Sequence, residues 1–293
     1  MPRLRRLVPL SGRFLNCIGE QLQPKRPPAL VHYTDQVGLI GILSTRALWA
    51  SDILSLNDSA EFHFGFGLVE KELEAQINAG IAHSASVLNE LKETARFPSF
   101  VGITSLSTLD DDLAQWRAYG KGSGGYAVRF SGPGLLATCH LSQVALVPVT
   151  YRARSQQALV SRFCEEALAD YNANEGKPEA AALARARREI SLLILCALLK
   201  SEAFQAEREW RIIAPIQKDR SKVGIRPGVS SLVKYLEVTL DDAHKSRPRL
   251  PLLHIGTGPN PNPQLARRGV FAALSLYKQT AKVYSSSIPF RDW

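Results

Sequence analysis

The chain is poor in cysteine: four residues in 293, Cys17, Cys139, Cys164 and Cys196, lie far apart with no CxxC pair. That scatter excludes a disulfide framework and, with no histidine at zinc-ligand spacing, gives no structural metal site to predict. Long apolar runs are also missing. The longest, LLILCALL from Leu192 to Leu199, falls well short of the roughly 20 residues a membrane span needs and reads as a buried helix. The six histidines, at positions 32, 63, 83, 140, 244 and 254, do not cluster, which disfavours metal hydrolysis, and no Ser-His-Asp set can be read from spacing. There is no internal repeat. What is present, 45% apolar and 22% charged residues, is the composition of a soluble globular protein. A reduced, cytoplasmic chain without metal is expected.

Formal charge is +9, and the first 28 residues hold much of it. Six cations (Arg3, Arg5, Arg6, Arg13, Lys25 and Arg26) against Glu20 give that segment a net +5, leaving +4 for the rest. A basic balance suits a polyanion, because lysine and arginine release condensed counterions on binding. The leader's apolar stretch is too short and too interrupted by proline for a secretory signal. Residues 1–28 therefore read as a basic, mobile tail and 29–293 as one folded domain.

Beyond the stop QPKRPP, short β-type runs alternate irregularly with helices. LVHYT is a first strand, and Asp35 caps a helix in which Val37, Ile40, Ile42 and Leu43 recur near helical spacing. Helices are predicted over 60–78, 83–96, 156–171, 179–202 and 263–277. Strands are predicted at SFVGITSLS, YAVRF, VALVPVTY, EWRIIAP, VGIRPG, LVKYLEVTL, LLHIGTG and AKVYSS. In DDDLAQWRAYG the acids suit a helix N-terminus and Gly120 its stop. The glycine cluster GKGSGG precedes a strand, whereas a dinucleotide fingerprint follows a strand and opens a helix. The predicted class is α+β, with mostly antiparallel short strands and long helices packed around them.

His32 sits in an apolar strand beside Tyr33, so its ring either finds a core partner or faces a cleft. LNDSAEF offers Asn57, Asp58 and Glu61, for which a helix cap with a first-turn acid is a sufficient role. Trp116 and Tyr119, three apart on a helix, suit core packing. In EREWRII, extended geometry sends Glu209 and Arg211 to one face and Trp210 and Ile212 to the other, away from the charges. The plain reading is a solvated edge strand with a surface ion pair of little energetic weight. The alternative is an ionised carboxylate at the mouth of a site, held in that state by its guanidinium neighbour.

Together, the stretches LVHYTDQVGLIGILSTRALWAS, LNDSAEFHFG, GITSLSTLDDDLAQWRAYGKGSGGYAVRF, EAFQAEREWRII and IGTGPN resemble the bacterial family catalogued as domain of unknown function 2971, over residues 30 to 290. More distantly, HYT followed by GLIGILSTRALWAS, and the later ERE before a strand, resemble ADP-ribosyltransferase-like proteins. That resemblance implies such a core, with NAD as co-substrate and His32 on the adenosine ribose. It makes Glu209 the catalytic glutamate and Glu207 the upstream acid. Ser105 in ITSLS stands for the middle motif, and Arg211 joins the cofactor-binding set. The aromatic against nicotinamide is left open among Tyr33, Trp116, Tyr119 and Tyr126.

The resemblance thus implies a mono-ADP-ribosyltransferase acting on nucleic acid or protein, with a toxin or phage-defence role. The alternative is a non-catalytic nucleic-acid-binding or nuclease-like module whose working surface is Arg185, Arg187, Arg188, Arg267 and Arg268.

Overall fold

The computed structural model describes residues 27–55, 60–96, 98–120, 124–142, 144–215, 223–228, 231–240 and 249–289. The basic leader up to Arg26, Asn57 and Asp58 lie outside the described residues. In chain order the elements are β1 (Leu30–Thr34), α1 (Gln36–Thr45), β2 (Ala47–Asp52), α2 (Ala60–Asn78), α3 (Ser84–Arg96) and β3 (Val101–Ser107). Next come α4 (Leu113–Tyr119), β4 (Tyr126–Phe130), α5 (Gly132–Leu141), β5 (Ala145–Pro148), α6 (Ala153–Asn174) and α7 (Pro178–Leu198). The series ends with β6 (Glu209–Pro215), β7 (Val223–Pro227), β8 (Leu232–Thr239), β9 (Leu252–Thr257), α8 (Pro263–Leu276) and β10 (Lys282–Ser285).

All the strands join one mixed sheet, ordered β10-β9-β4-β1-β3-β2-β8-β7, with β6 on β3 and β5 on β6. Among the described residues every strand pairing is antiparallel except β9 with β10. The branching at β3 positions the site. One edge of β3 runs against β6 along its whole length, from Val101↔Pro215 to Ser107↔Glu209. The other edge is shared: β2 takes Gly102 and Ile103, whereas β1 takes only Ser107. Between those contacts β1 and β2 part, and the sheet forks at residues 104–106.

Alternation along the central strands builds two cores. Ile103 and Ile213 face a layer made by α2, α3, α6 and α7, where Phe62, Leu73, Leu91, Leu159 and Leu192 are buried. Leu106, Trp210, Ile212 and Ala214 face the opposite layer, with Leu39 of α1, Leu135 of α5 and Val270 of α8. Burial on both sides explains the composition of α7, every residue of which from Ser191 to Leu198 is inside. This helix ends four residues before the predicted boundary. Leu199 instead bridges Thr150, and a short 3-10 turn over Glu202–Glu207 follows, capped by Ser201.

The α2–α7 contact is close because Gly65 has no side chain: a Cβ there would lie 2.8 Å from Cys196 Cα. Alanine would improve helix propensity by about 1 kcal/mol but must push two backbones apart. Gly65→Ala is therefore expected to lower unfolding free energy by about 1–3 kcal/mol in a urea titration.

Arg187 and Arg188 do not form the open basic surface that the nucleic-acid reading requires. Arg188 is buried and binds Glu90 through two nitrogens at 2.8 Å each, and Asp170 at 2.7 Å. Arg187 takes the other Asp170 oxygen at 2.7 Å. Arg188 thus fastens α7 to α3 and α6, and Arg187 fastens it to α6 again.

Candidate active site

Two charges of EREWRII, Glu209 and Arg211, lie inside the protein, whereas Arg208 is exposed and Glu207 partly so. β6 is flanked by β3 and β5 and covered on both faces, so the solvated edge strand with a surface ion pair is corrected. Glu209 is 5% exposed and Arg211 1%. The predicted alternation holds, but the side bearing the charges faces a second helical layer. A buried charge must be paired and hydrogen-bonded, and here it is.

Arg211 reaches Glu209 through Nε at 2.7 Å and Nη2 at 3.0 Å, a bidentate pair. Its Nη1 donates to the Ala197 carbonyl at 3.0 Å, and Nη2 also to Glu61. Lys200 Nζ lies among three carboxylates: Glu207 at 2.6 Å, Glu61 at 2.9 Å and Glu209 at 3.0 Å. Three carboxylates against two cations leave the cluster a formal charge of −1. Backbone and neutral groups hold its frame. The Tyr151 hydroxyl accepts from the Glu209 N–H at 3.0 Å, and Gln156 donates to the carbonyls of Thr150 and Lys200 at 2.8 Å each.

These neighbours set the protonation states. Burial pushes the Glu209 carboxyl up, but Arg211, Lys200 and the Ser105 hydroxyl together hold it below the ordinary carboxylate range. Lys200 is raised despite the opposing cost of burial, by Glu209, Glu207 and Glu61. Glu209 therefore contributes stability above the unfolded value of about 4.3, lost as pH falls through its lower folded value. Lys200 contributes below about 10.4, lost as pH rises through its higher folded value. Unfolding midpoints are expected to be level between those limits and to fall outside them, as a denaturant titration across pH would record.

His32 projects into the fork. Its Nδ1 is 3.0 Å from the Ser105 carbonyl, on the β3 edge where no strand pairs, and burial pulls its pKa down, favouring the neutral ring. The register puts His32 on the sheet face with Val128 and Phe130, opposite to the face of Glu209, so the two side chains do not meet directly. Ser105 lies between them: its carbonyl meets His32, while its side chain shares the sheet face of Glu209 and helps hold that carboxyl ionised.

The four aromatic candidates separate by environment. Tyr33 and Trp116 are buried edge to face, with centroids 4.8 Å apart. Their polar atoms are engaged, the Tyr33 hydroxyl with the Leu109 carbonyl and Trp116 Nε1 with Asp111. Tyr126 packs against the opposite core. Tyr119 is the half-buried one in the field of the cluster: burial raises its pKa most, and the charges of Glu209 and Glu207 raise it further. Of the three consecutive acids before α4 only Asp112 is the cap. Asp110 instead accepts from Arg129 at 2.6 Å and meets His254 at 2.9 Å, and Asp111 accepts from the Ser287 N–H at 2.9 Å.

Glu61 is a first-turn acid of α2, as its position suggested, but it is also buried in the cluster. Lys200 escaped the sequence reading. Its available signal was a lone lysine directly after eight apolar residues, where a cation needs a partner.

A forked mixed sheet with a buried, net-negative cluster beside the fork defines the class of structure. Residues 115–212 match the model of a family described as "Protein of unknown function (DUF2971)". The matched segment contains Tyr119, Lys200, Glu207, Glu209 and Arg211, whereas His32, Glu61 and Ser105 precede it. No curated protein and no solved structure matches the chain.

Proposed function

We propose that the chain is an NAD-dependent mono-ADP-ribosyltransferase with Glu209 as its catalytic carboxylate. One observation carries the reading: residues nominated from three distant segments meet at β3, with His32 at the Ser105 carbonyl and Glu209 on the neighbouring strand, on the face of the Ser105 side chain. The cluster's formal charge of −1 supports it, because the chemistry builds positive charge. The bond between ribose C1′ and the nicotinamide nitrogen breaks, and nicotinamide leaves neutral with the electron pair. A new bond forms from C1′ to an acceptor atom, which loses its proton.

No general acid is needed for such a leaving group. An ionised carboxylate that favours the developing cation is needed, and preorganised charge of that kind is a large catalytic contribution. A carboxylate has about four acceptor sites, and Arg211 and Lys200 fill three of them in Glu209. The fourth site is the one the ribose 2′-hydroxyl takes on ligand binding. Glu207, with its side chain 34% exposed, faces the incoming acceptor. His32, on the opposite sheet face, positions Ser105 through its carbonyl, and Tyr119 supplies the ring beside the cluster.

Calorimetry of the whole protein with NAD tests the binding step. Saturable one-site heat, reduced in Tyr119→Ala, is expected; absence of any binding heat at millimolar NAD would remove the reading.

A further inference from the structure

The second arm of the fork carries an aromatic pair that the cluster does not use. Trp49 of β2 stacks on Tyr235 of β8, centroids 4.3 Å apart and planes inclined by 26°. Trp49 is nevertheless 38% exposed. Tyr235 is pinned from below: it faces Gly224 of β7, where a Cβ would come within 2.4 Å of its Cζ, so the ring fills the space of a missing side chain. Arg226, two residues along that strand, donates to Ser51 Oγ at 2.9 Å and to the Pro227 carbonyl at 3.3 Å. Among the described residues no carboxylate pairs with it.

The pairings Ser51↔Tyr235, Ser51↔Ile103 and Ile103↔Ile213, with strand alternation, put Trp49, Tyr235 and Arg226 on the sheet face that bears Glu209. The arm is also anchored at the fork, since Thr104, next to Ser105, donates to the Trp49 carbonyl at 3.1 Å.

An exposed indole whose plane is set by a stacked neighbour offers a ring face to a planar ligand, sequence-tolerant because every base has one. A guanidinium that no described carboxylate pairs with offers paired donors to phosphate. The two together match one nucleotide unit. Within a duplex the base faces are covered by their neighbours, so the strand must be single. We propose that Trp49, Tyr235 and Arg226 bind one nucleotide of a single-stranded nucleic acid, with its base on Trp49 and its phosphate on Arg226. On the transferase reading, which this assignment of acceptor rests on, that strand receives the ADP-ribose.

Fluorescence anisotropy with labelled single-stranded DNA and RNA oligonucleotides, without NAD, tests the platform separately from catalysis. Trp49→Ala is expected to weaken binding by about 5- to 100-fold, and Trp49→Phe to restore most of it. Arg226→Gln is expected to weaken binding and flatten the slope of log affinity against log salt by about 0.7. Unchanged unfolding midpoints would show that each variant folds. Wild-type affinity in Trp49→Ala, no binding of either oligonucleotide by the native protein, or weakened binding of NAD but not of oligonucleotides would each overturn the platform. Oligonucleotide binding that follows this pattern, in a protein that releases no nicotinamide, would uphold the platform and overturn the transferase reading instead.

Discussion

Replacing Arg211 with leucine is expected to lower unfolding free energy by about 3–5 kcal/mol, the usual cost of removing one partner of a buried charge pair. Arg211 is the largest of the fully buried side chains, and it binds both Glu61 and Glu209. Without it three carboxylates surround Lys200 alone, and the cluster's formal charge goes from −1 to −2. Arg211→Lys should recover only part of the loss, because one ammonium cannot reproduce a bidentate guanidinium that also reaches the Ala197 carbonyl. Guanidinium chloride titration with matched slopes would measure both; a loss below about 1 kcal/mol in Arg211→Leu would contradict a tightly paired interior cluster.

Glu209→Gln should behave differently. It takes the cluster from −1 to neutral while keeping shape, and leaves two cations against Glu61 and Glu207, so the variant is expected to fold. Its expected defect is chemical. Loss of a preorganised charge at the reacting centre typically lowers kcat by about 100- to 1,000-fold, and NAD affinity should fall far less because a carboxamide still accepts from the ribose hydroxyl. Single-turnover nicotinamide release, with binding measured on the same sample, separates the two quantities. A folded variant that retains wild-type turnover would assign Glu209 a purely structural role.

Much of the secondary structure was legible because it rests on local chemistry. The helix at Ala60–Asn78 and the Gly80 break before α3 follow from periodicity and a backbone position with φ of 74°. EWRII likewise alternates as written, with Glu209 and Arg211 opposite Trp210 and Ile212. Its depth was not legible. Whether a charged face meets water or another layer depends on β3 and β5, more than 60 residues upstream, and on α2 and α7 above it.

The same limit hid the fates of Arg187 and Arg188, whose partners Glu90 and Asp170 lie on other helices. Lys200 shows how a boundary error conceals a site. Extending α7 to Glu202 would make the lysine one more helical residue, whereas the end at Leu198 and the bridge from Leu199 to Thr150 turn it into the cluster. The fork has no local signal at all, being a property of two strands, β1 and β2, that share one edge of β3 while β6 holds the other.

Release of nicotinamide from labelled NAD by the 293-residue chain tests the central claim most directly, run alone and with single-stranded oligonucleotides and a protein fraction. Release with transfer of label to an acceptor, absent from folded Glu209→Gln, is the predicted result. A folded wild-type protein that binds no NAD and releases no nicotinamide with any acceptor would contradict it, and the cluster of Glu61, Lys200, Glu207, Glu209 and Arg211 would then serve the fold alone.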